Sequence, residues 1–383
     1  MQLLEDLTAP KVTAPQGWQP AITFDGTTGE ATTPGITGQP DLKQYLIDAG
    51  YNPDEIEVIG NIRTSRWQKY DGEWLTAYRF SFNVKHNNNV DLPLLWASAK
   101  KNAKKFTKPP VSDKALVIAL SDFQIGKVDE RGGTEQLITR ILESYDRIEK
   151  HVRKNPYEKF VLCDVGDIVE GFANSADMQQ AVTNDMSLMQ QVDLGITLVW
   201  DLIKRLTRYA PVQYVSIASN HCQFRLNKQR VGKPGQDDWG LHIARQLHRL
   251  ATETDLPVTV HTPHPNDESL AIDVFGNQQH ILGLIHGHQV SRPDGFPDFW
   301  RKQAFGKQPI HAATICLSGH FHHTRIQELG DAGNGGSRYW IQAPTMDSGS
   351  GWYRLNSGED SKPGIAYFEL HKDLPFTGTV WRT

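Results

Sequence analysis

Short apolar runs alternate with longer amphipathic segments from about residue 115 onward. Five runs have the length of buried strands, at residues 115–120, 160–163, 212–218, 280–285 and 312–317. Among them, apolar residues recur every three or four positions over residues 137–152 and 185–209. This spacing predicts helices that pack one face on a sheet. Strands that alternate with such helices indicate an α/β fold.

The N-terminal part has a different pattern. Residues 1–38 are rich in Thr, Pro and Gly without sustained periodicity, which predicts an extended arm or a loop-rich wrapping. Pro40-Asp41 opens a short helix to residue 49, and residues 65–70 and 74–85 predict a hairpin. A lysine-rich connector ends at Pro109-Pro110. We therefore predict a small α+β module with its linker at residues 1–110 and a catalytic domain at 111–383.

Composition narrows the class of protein. A net charge of -4 does not fit a protein that coats nucleic acid through its global field, so any such contact must be local. The three cysteines are scattered and form no disulfide framework, which favours a reducing compartment. Residues 1–15 lack a signal-peptide pattern, and no apolar stretch could span a bilayer. We expect a cytoplasmic protein without membrane contact.

Candidate chemistry follows the apolar runs. Each of the five runs is followed by polar side chains, namely Asp122 and Gln124, Asp167, Asn220 and His221, His286, and His320 with His322. Side chains just past the carboxyl ends of neighbouring strands converge on one crevice. Carboxylates, amides and imidazoles without thiolate suit divalent metals such as manganese, iron, zinc or nickel. The sequence therefore predicts a metal centre at these strand ends.

The ordered motifs are Asp122-Phe-Gln124, Gly166-Asp167, Asn220-His221, His286 and Gly319-His320-Phe-His322. They resemble the calcineurin-like metallophosphoesterase superfamily over about residues 115–338. The resemblance implies a two-sheet sandwich flanked by helices that holds two divalent cations, with manganese expected. It implies one cation site of Asp122, Gln124, Asp167 and His322 and another of Asp167, Asn220, His286 and His320. His221 would contact the scissile phosphate and protonate the leaving oxygen.

Three positions depart from the family pattern. Gln124 stands where a histidine is usual, Ser219 replaces a glycine, and Cys222 replaces the acidic residue that orients the motif histidine. An amide oxygen in place of an imidazole should weaken one cation site. Segments 122–127, 302–309 and 341–344 resemble a branch encoded by phages of actinobacteria, in which Gln is usual at this place. In that case Gln124 is a working variant, and the protein would act in a host bacterium's cytoplasm.

Basic residues indicate the substrate. Arg225, Lys228 and Arg230 follow the third motif closely and predict a rim that binds a polyanion. With the phage resemblance, this favours a nuclease that hydrolyses DNA or RNA. No helical tail follows the last motif, so we expect no ATPase partner.

Two alternatives stay open. A phosphodiesterase for cyclic or short nucleotides would be indifferent to polymer length. A catalytically weak nucleic-acid-binding protein would show low turnover with intact binding, and Gln124 and Cys222 would then mark decay.

Overall fold

The computed structural model describes residues 21–24, 28–37, 40–51, 56–84, 111–129, 131–172, 184–226, 229–349 and 361–383. The chain divides into two compact units, Met1–Asn88 and Asn89–Thr383. The lysine-rich connector and the predicted boundary at residue 110 lie in 85–110, outside the described residues. That boundary stays a prediction.

The first unit is an antiparallel sheet with one helix. In chain order it contains β1 (Ala21–Phe24), β2 (Thr28–Thr32), α1 (Leu42–Asp48), β3 (Ile56–Gln68) and β4 (Trp74–Val84), with sheet order β1-β2-β4-β3. Asp41 caps α1, because its carboxylate accepts from the backbone N–H groups of Lys43 and Gln44 at 2.9 and 3.1 Å. Leu46 of α1 packs with Phe80 and Phe82 in the core of this unit.

The predicted arm is partly wrong. Residues 21–24 and 28–32 form β1 and β2, and β2 pairs with β4. Both strands are only four or five residues long, too short for an alternating pattern to be recognised.

The second unit contains two larger sheets and four helices among its described residues. In chain order its elements are β5 (Lys114–Leu120), α2 (Thr134–Val152), β6 (Lys159–Asp164), α3 (Leu188–Leu206), β7 (Val212–Ser216), β8 (Arg225–Leu226), β9 (Gln229–Arg230), α4 (Trp239–Thr254), β10 (Val258–His261), β11 (Leu270–Asp273), β12 (Ile281–Leu284), α5 (Phe296–Phe305), β13 (Ile315–Ser318), β14 (Arg325–Asp331), β15 (Ser337–Gln342), β16 (Ala366–His371) and β17 (Trp381–Arg382).

The central strands of each sheet are parallel to one another. The first has the order β10-β7-β6-β5-β16-β17, and its four strands from β10 to β5 are parallel. The second has the order β11-β12-β13-β15-β14, with β12, β13 and β15 parallel. Each of the five predicted apolar runs overlaps one of these parallel strands.

Alternation along the strands explains the layers. In β5, Leu116 and Ile118 join the core formed with α2, α3 and α4, whereas Ala115 and Val117 join a second core. Ile315 and Leu317 of β13 belong to that second core, which therefore lies between the sheets. The predicted mixed α/β class is confirmed, with five helices among the described residues.

Helix α5 covers the outer face of the second sheet. Phe296 of α5 stacks on Trp340 of β15, with ring centroids 4.4 Å apart and planes 8° from parallel. The Trp340 indole N–H donates to the hydroxyl of Ser318 at 2.9 Å. This buried aromatic pair fixes the helix that follows the loop of His286.

Phe296→Ala should lower the free energy of unfolding by about 3–5 kcal/mol, because truncating a fully buried ring leaves a cavity. Urea denaturation measures the change. Phe305→Ala removes the same ring from the same helix at a side chain that is 95% exposed, and should stay within about 0.5 kcal/mol of the parent. Equal losses would contradict this account of how α5 is held.

Candidate metal centre

The strand ends of both sheets converge as the sequence predicts. Asp122 follows β5, and its backbone N–H donates to the Gly166 carbonyl after β6 at 3.0 Å. Asp167 accepts on its carbonyl from the N–H of Gln124 at 2.9 Å. The Gly319 N–H, after β13, donates to the His286 carbonyl, after β12, at 2.8 Å. Backbone hydrogen bonds thus link neighbouring loops within each sheet.

The backbone is strained where the predicted ligands lie. Among the described residues, eight non-glycine residues have positive φ, and five of these are Asp122, Gln124, Asp167, His320 and His322, with φ between 45° and 70°. The left-handed conformation costs roughly 1–2 kcal/mol for each such residue. Strain of this kind persists where the surroundings enforce it and clusters at functional sites. Here it turns each side chain sharply at the end of its strand.

Asp167 and His286 face each other in a way that suits a cation. The His286 ring has its Nδ1 2.8 Å from the Val165 carbonyl oxygen, so Nδ1 donates and Nε2 is left to hold either a proton or a metal ion. That Nε2 lies 2.8 Å from Asp167 Oδ2, and neither atom has a hydrogen-bond partner, although both are buried. His320 provides a third atom that could bind a metal, within 4.8 Å of these two. Two acceptors this close repel each other unless a proton or a cation lies between them.

Asp122 and His322 form a second pair of the same kind. His322 has its Nδ1 3.3 Å from Asp347 Oδ2 and its Nε2 3.3 Å from Asp122 Oδ1. Asp122 Oδ2 accepts from the Ser121 hydroxyl and from the His320 N–H, whereas Oδ1 is buried without a partner. This set of buried carboxylate oxygens and imidazole nitrogens therefore fits divalent metals, because each pair needs either a proton or a cation between its two atoms.

The neighbouring carboxylates favour positive charge on His286 and His322, but not on His320. Burial alone would lower the pKa of His286, but the charge of Asp167 raises it to about 9. Burial likewise opposes protonation of His322, yet Asp347 and Asp122 raise its pKa to about 10. Burial, together with the nearby His286, lowers the pKa of His320 to about 3. A metal that displaces the protons of His286 and His322 would satisfy the same carboxylates.

His221 is oriented by a residue that the sequence motifs did not reveal. Its backbone N–H donates to Asp167 Oδ1 at 2.9 Å, and its Nδ1 lies 2.9 Å from the Glu170 carbonyl and 3.2 Å from Glu170 Oε2. Glu170 thus fixes the orientation of the His221 ring. Cys222 is buried, and the half-buried Asn220 precedes His221 in the same turn.

Ser219 also has a structural role. Its hydroxyl accepts from the Asp167 N–H at 2.8 Å, and its own N–H donates to Asp238 Oδ2 at 3.1 Å. The side chain that replaces glycine therefore holds the backbone of Asp167. Gly166 must remain without a side chain, since a Cβ there would lie 2.6 Å from His286 Nδ1.

The predicted basic rim is only partly described. Arg225 donates to the Gln223 side-chain oxygen at 2.8 Å, and Arg230 forms an ion pair with Glu268. Lys228 lies outside the described residues. Because Glu268 compensates the charge of Arg230, this arginine is a weaker anion-binding group than the sequence suggests. Binding of substrate at the rim stays a prediction.

Asp347 and Lys127 were also missed by the motifs. Lys127 donates to Asp347 Oδ2 at 2.6 Å and to the Gln124 side-chain oxygen at 2.8 Å. Asp347 follows β15, another parallel strand, so the rule that located the predicted ligands also points to it.

Comparison with protein-family models finds no match for the chain, and no curated protein matches it. Within the described ranges, the helices are each too short or too polar to cross a membrane. Function is therefore inferred from the residues of the site.

Manganese should raise the unfolding temperature of the protein, because a ligand that binds only the folded state stabilises it by about 2.7 kcal/mol at a hundredfold excess over Kd. Asp167→Ala should abolish the rise, measured by differential scanning calorimetry. Asp298→Ala, at an exposed carboxylate on α5, should keep it. A parent protein that does not respond to manganese, iron, zinc or nickel would refute the metal centre.

Proposed function

We propose that the chain is a dinuclear metal-dependent phosphodiesterase, and specifically a nuclease. The observation that carries the proposal is the pair of buried contacts in which His286 faces Asp167 and His322 faces Asp122. Each contact brings together acceptor atoms that a divalent cation would satisfy. One cation would be held by the predicted set of Asp122, Gln124, Asp167 and His322, and the other by Asp167, Asn220, His286 and His320.

The arrangement of the sheets supports the superfamily resemblance. The motifs follow β5, β6, β7, β12 and β13 in the order expected of calcineurin-like metallophosphoesterases. A core between two sheets, with helices on both outer faces, is the architecture that this resemblance implies. We therefore propose that the second unit has the calcineurin-like fold.

Two bound divalent cations would supply an activated water and neutralise charge on the phosphate. The contribution of His221 comes from the chain itself. Burial would lower its pKa, but the charges of Glu170 and Asp167 raise it to about 9, which favours the proton-donating form of the ring. With Nδ1 at the Glu170 carbonyl, the Nε2 side faces the centre and is placed to protonate a leaving oxygen.

A cavity lined by residues that follow the third motif supports a substrate that carries bases. It has a volume of about 370 Å³ and is lined by Phe224, Trp239 and Arg245, among others. Its wall is continuous with the third motif, because the Trp239 N–H donates to the Cys222 carbonyl at 2.9 Å. Phe224 is 42% exposed, and exposed aromatic faces bind unpaired bases by stacking. This favours nucleic acid over a phosphoprotein.

With manganese, the protein should cleave single-stranded DNA, duplex DNA or RNA faster than cyclic dinucleotides, and Asp167→Asn should abolish cleavage. Gel and chromatographic assays of all four substrates measure this. Cleavage of cyclic dinucleotides alone would establish the small-nucleotide alternative. Metal and nucleic-acid binding without turnover would instead indicate a binding protein.

His221→Ala should keep both metals and lower the rate of hydrolysis about 10²–10⁴-fold, because the ring acts on the substrate and not on a cation. Elemental analysis and single-turnover kinetics separate the two effects. His311→Ala, at an exposed ring, should change neither. Loss of one metal from His221→Ala would make this residue a ligand.

A further inference from the structure

Gln124 has a defined amide orientation. The side chain is only 2% exposed, and its oxygen accepts from Lys127 Nζ at 2.8 Å. A lysine ammonium has three donors and no acceptor, so only the amide oxygen can face it. The amide nitrogen of Gln124 must therefore point the other way, toward the metal centre.

Lys127 is held in place by a buried partner. Asp347 Oδ2 accepts from Lys127 at 2.6 Å, and Asp347 Oδ1 accepts from the Gly349 N–H at 3.0 Å. The Asp347 carboxylate also lies 3.3 Å from His322 Nδ1. Lys127 thus cannot turn away from Gln124 without leaving a buried carboxylate short of a cation.

The amide nitrogen lies between two imidazoles. Gln124 Nε2 is 3.3 Å from His221 Nε2 and 3.5 Å from His322 Nε2. An amide N–H carries partial positive charge and has no lone pair to give a cation. When His221 Nε2 holds a proton and His322 Nε2 binds a cation, neither ring can accept from the Gln124 amide, so its N–H is suited to meet an anion between them.

We infer that Gln124 donates a hydrogen bond to a phosphate oxygen of the substrate instead of binding a cation, and that Lys127 is the positioning residue that fixes this orientation. The inference rests on the proposed function. It removes Gln124 from the predicted cation site of Asp122, Gln124, Asp167 and His322, which would keep only three protein ligands. With fewer protein ligands, a cation held there would have room to bind the substrate itself.

Gln124→Met is the direct test, because methionine keeps the length and removes both the donor and the acceptor. Calorimetry should find two manganese ions per chain with affinities within about twofold of the parent. Orthophosphate should then bind the manganese-loaded variant about tenfold or more weakly, as expected for a lost bond to a charged oxygen. Gln308→Met, at an exposed glutamine, should match the parent in both measurements.

A double-mutant cycle tests the role of Lys127. If Lys127 acts through Gln124, Lys127→Met weakens orthophosphate binding in the parent but adds little in the Gln124→Met background. Lys127→Arg can still donate to the amide oxygen and should restore most of the affinity. Equal losses in both backgrounds would mean that Lys127 contacts phosphate directly, and would overturn its positioning role.

The outcomes separate this inference from the proposed function. A parent protein that binds no manganese, iron, zinc or nickel defeats both. A parent with two metals and a Gln124→Met variant with one defeats the inference alone, because Gln124 is then a ligand. Two metals and unchanged orthophosphate affinity in Gln124→Met also overturn it. Thermal unfolding of each variant confirms that a loss of binding is not a loss of fold.

Discussion

The burial of two carboxylates at the ends of adjacent strands constrains the structure of the second unit around its candidate site. Asp122 and Asp167 are at most 1% exposed and follow adjacent parallel strands. Burying one uncompensated charge is costly, and a second like charge nearby adds repulsion. Backbone hydrogen bonds compensate part of this charge, because the N–H of His221 donates to Asp167 and the N–H of His320 donates to Asp122. The oxygens that remain without donors are the ones that face His286 and His322.

This constraint explains where the backbone is strained. The strands are held by their ladders and by cores on both faces, so they cannot shift to aim a side chain. The turn after each strand must do so, and a left-handed residue is the shortest way to reverse direction. Asp122, Asp167 and His320 each adopt it. Stability from the packed sheets thus offsets local strain at the site.

The positions of many residues in this site could be predicted from the sequence because the topology of a parallel sheet determines them. Parallel strands end at one edge, so a polar residue after each apolar run lies near the others whatever its distance along the chain. Glu170 and Lys127 could not be found this way, because their roles depend on a neighbour's carbonyl or amide. Asp347 follows a parallel strand, so the same rule could have predicted that it lies at this site. Strands β1 and β2 were missed because neither alternates strictly between apolar and polar residues over its four or five positions.

Gln124 shows where reasoning from residue types stops. A histidine at this place offers a cation one kind of atom once its tautomer is set, whereas an amide has a donor end and an acceptor end of nearly the same shape. Which end faces the metals is decided by a third group, and here that group is a lysine that can only donate. The spacing Asp122-Phe-Gln124 is compatible with both roles. The contact with Lys127, fixed in turn by Asp347, is what favours a hydrogen-bond donor over a ligand at this position.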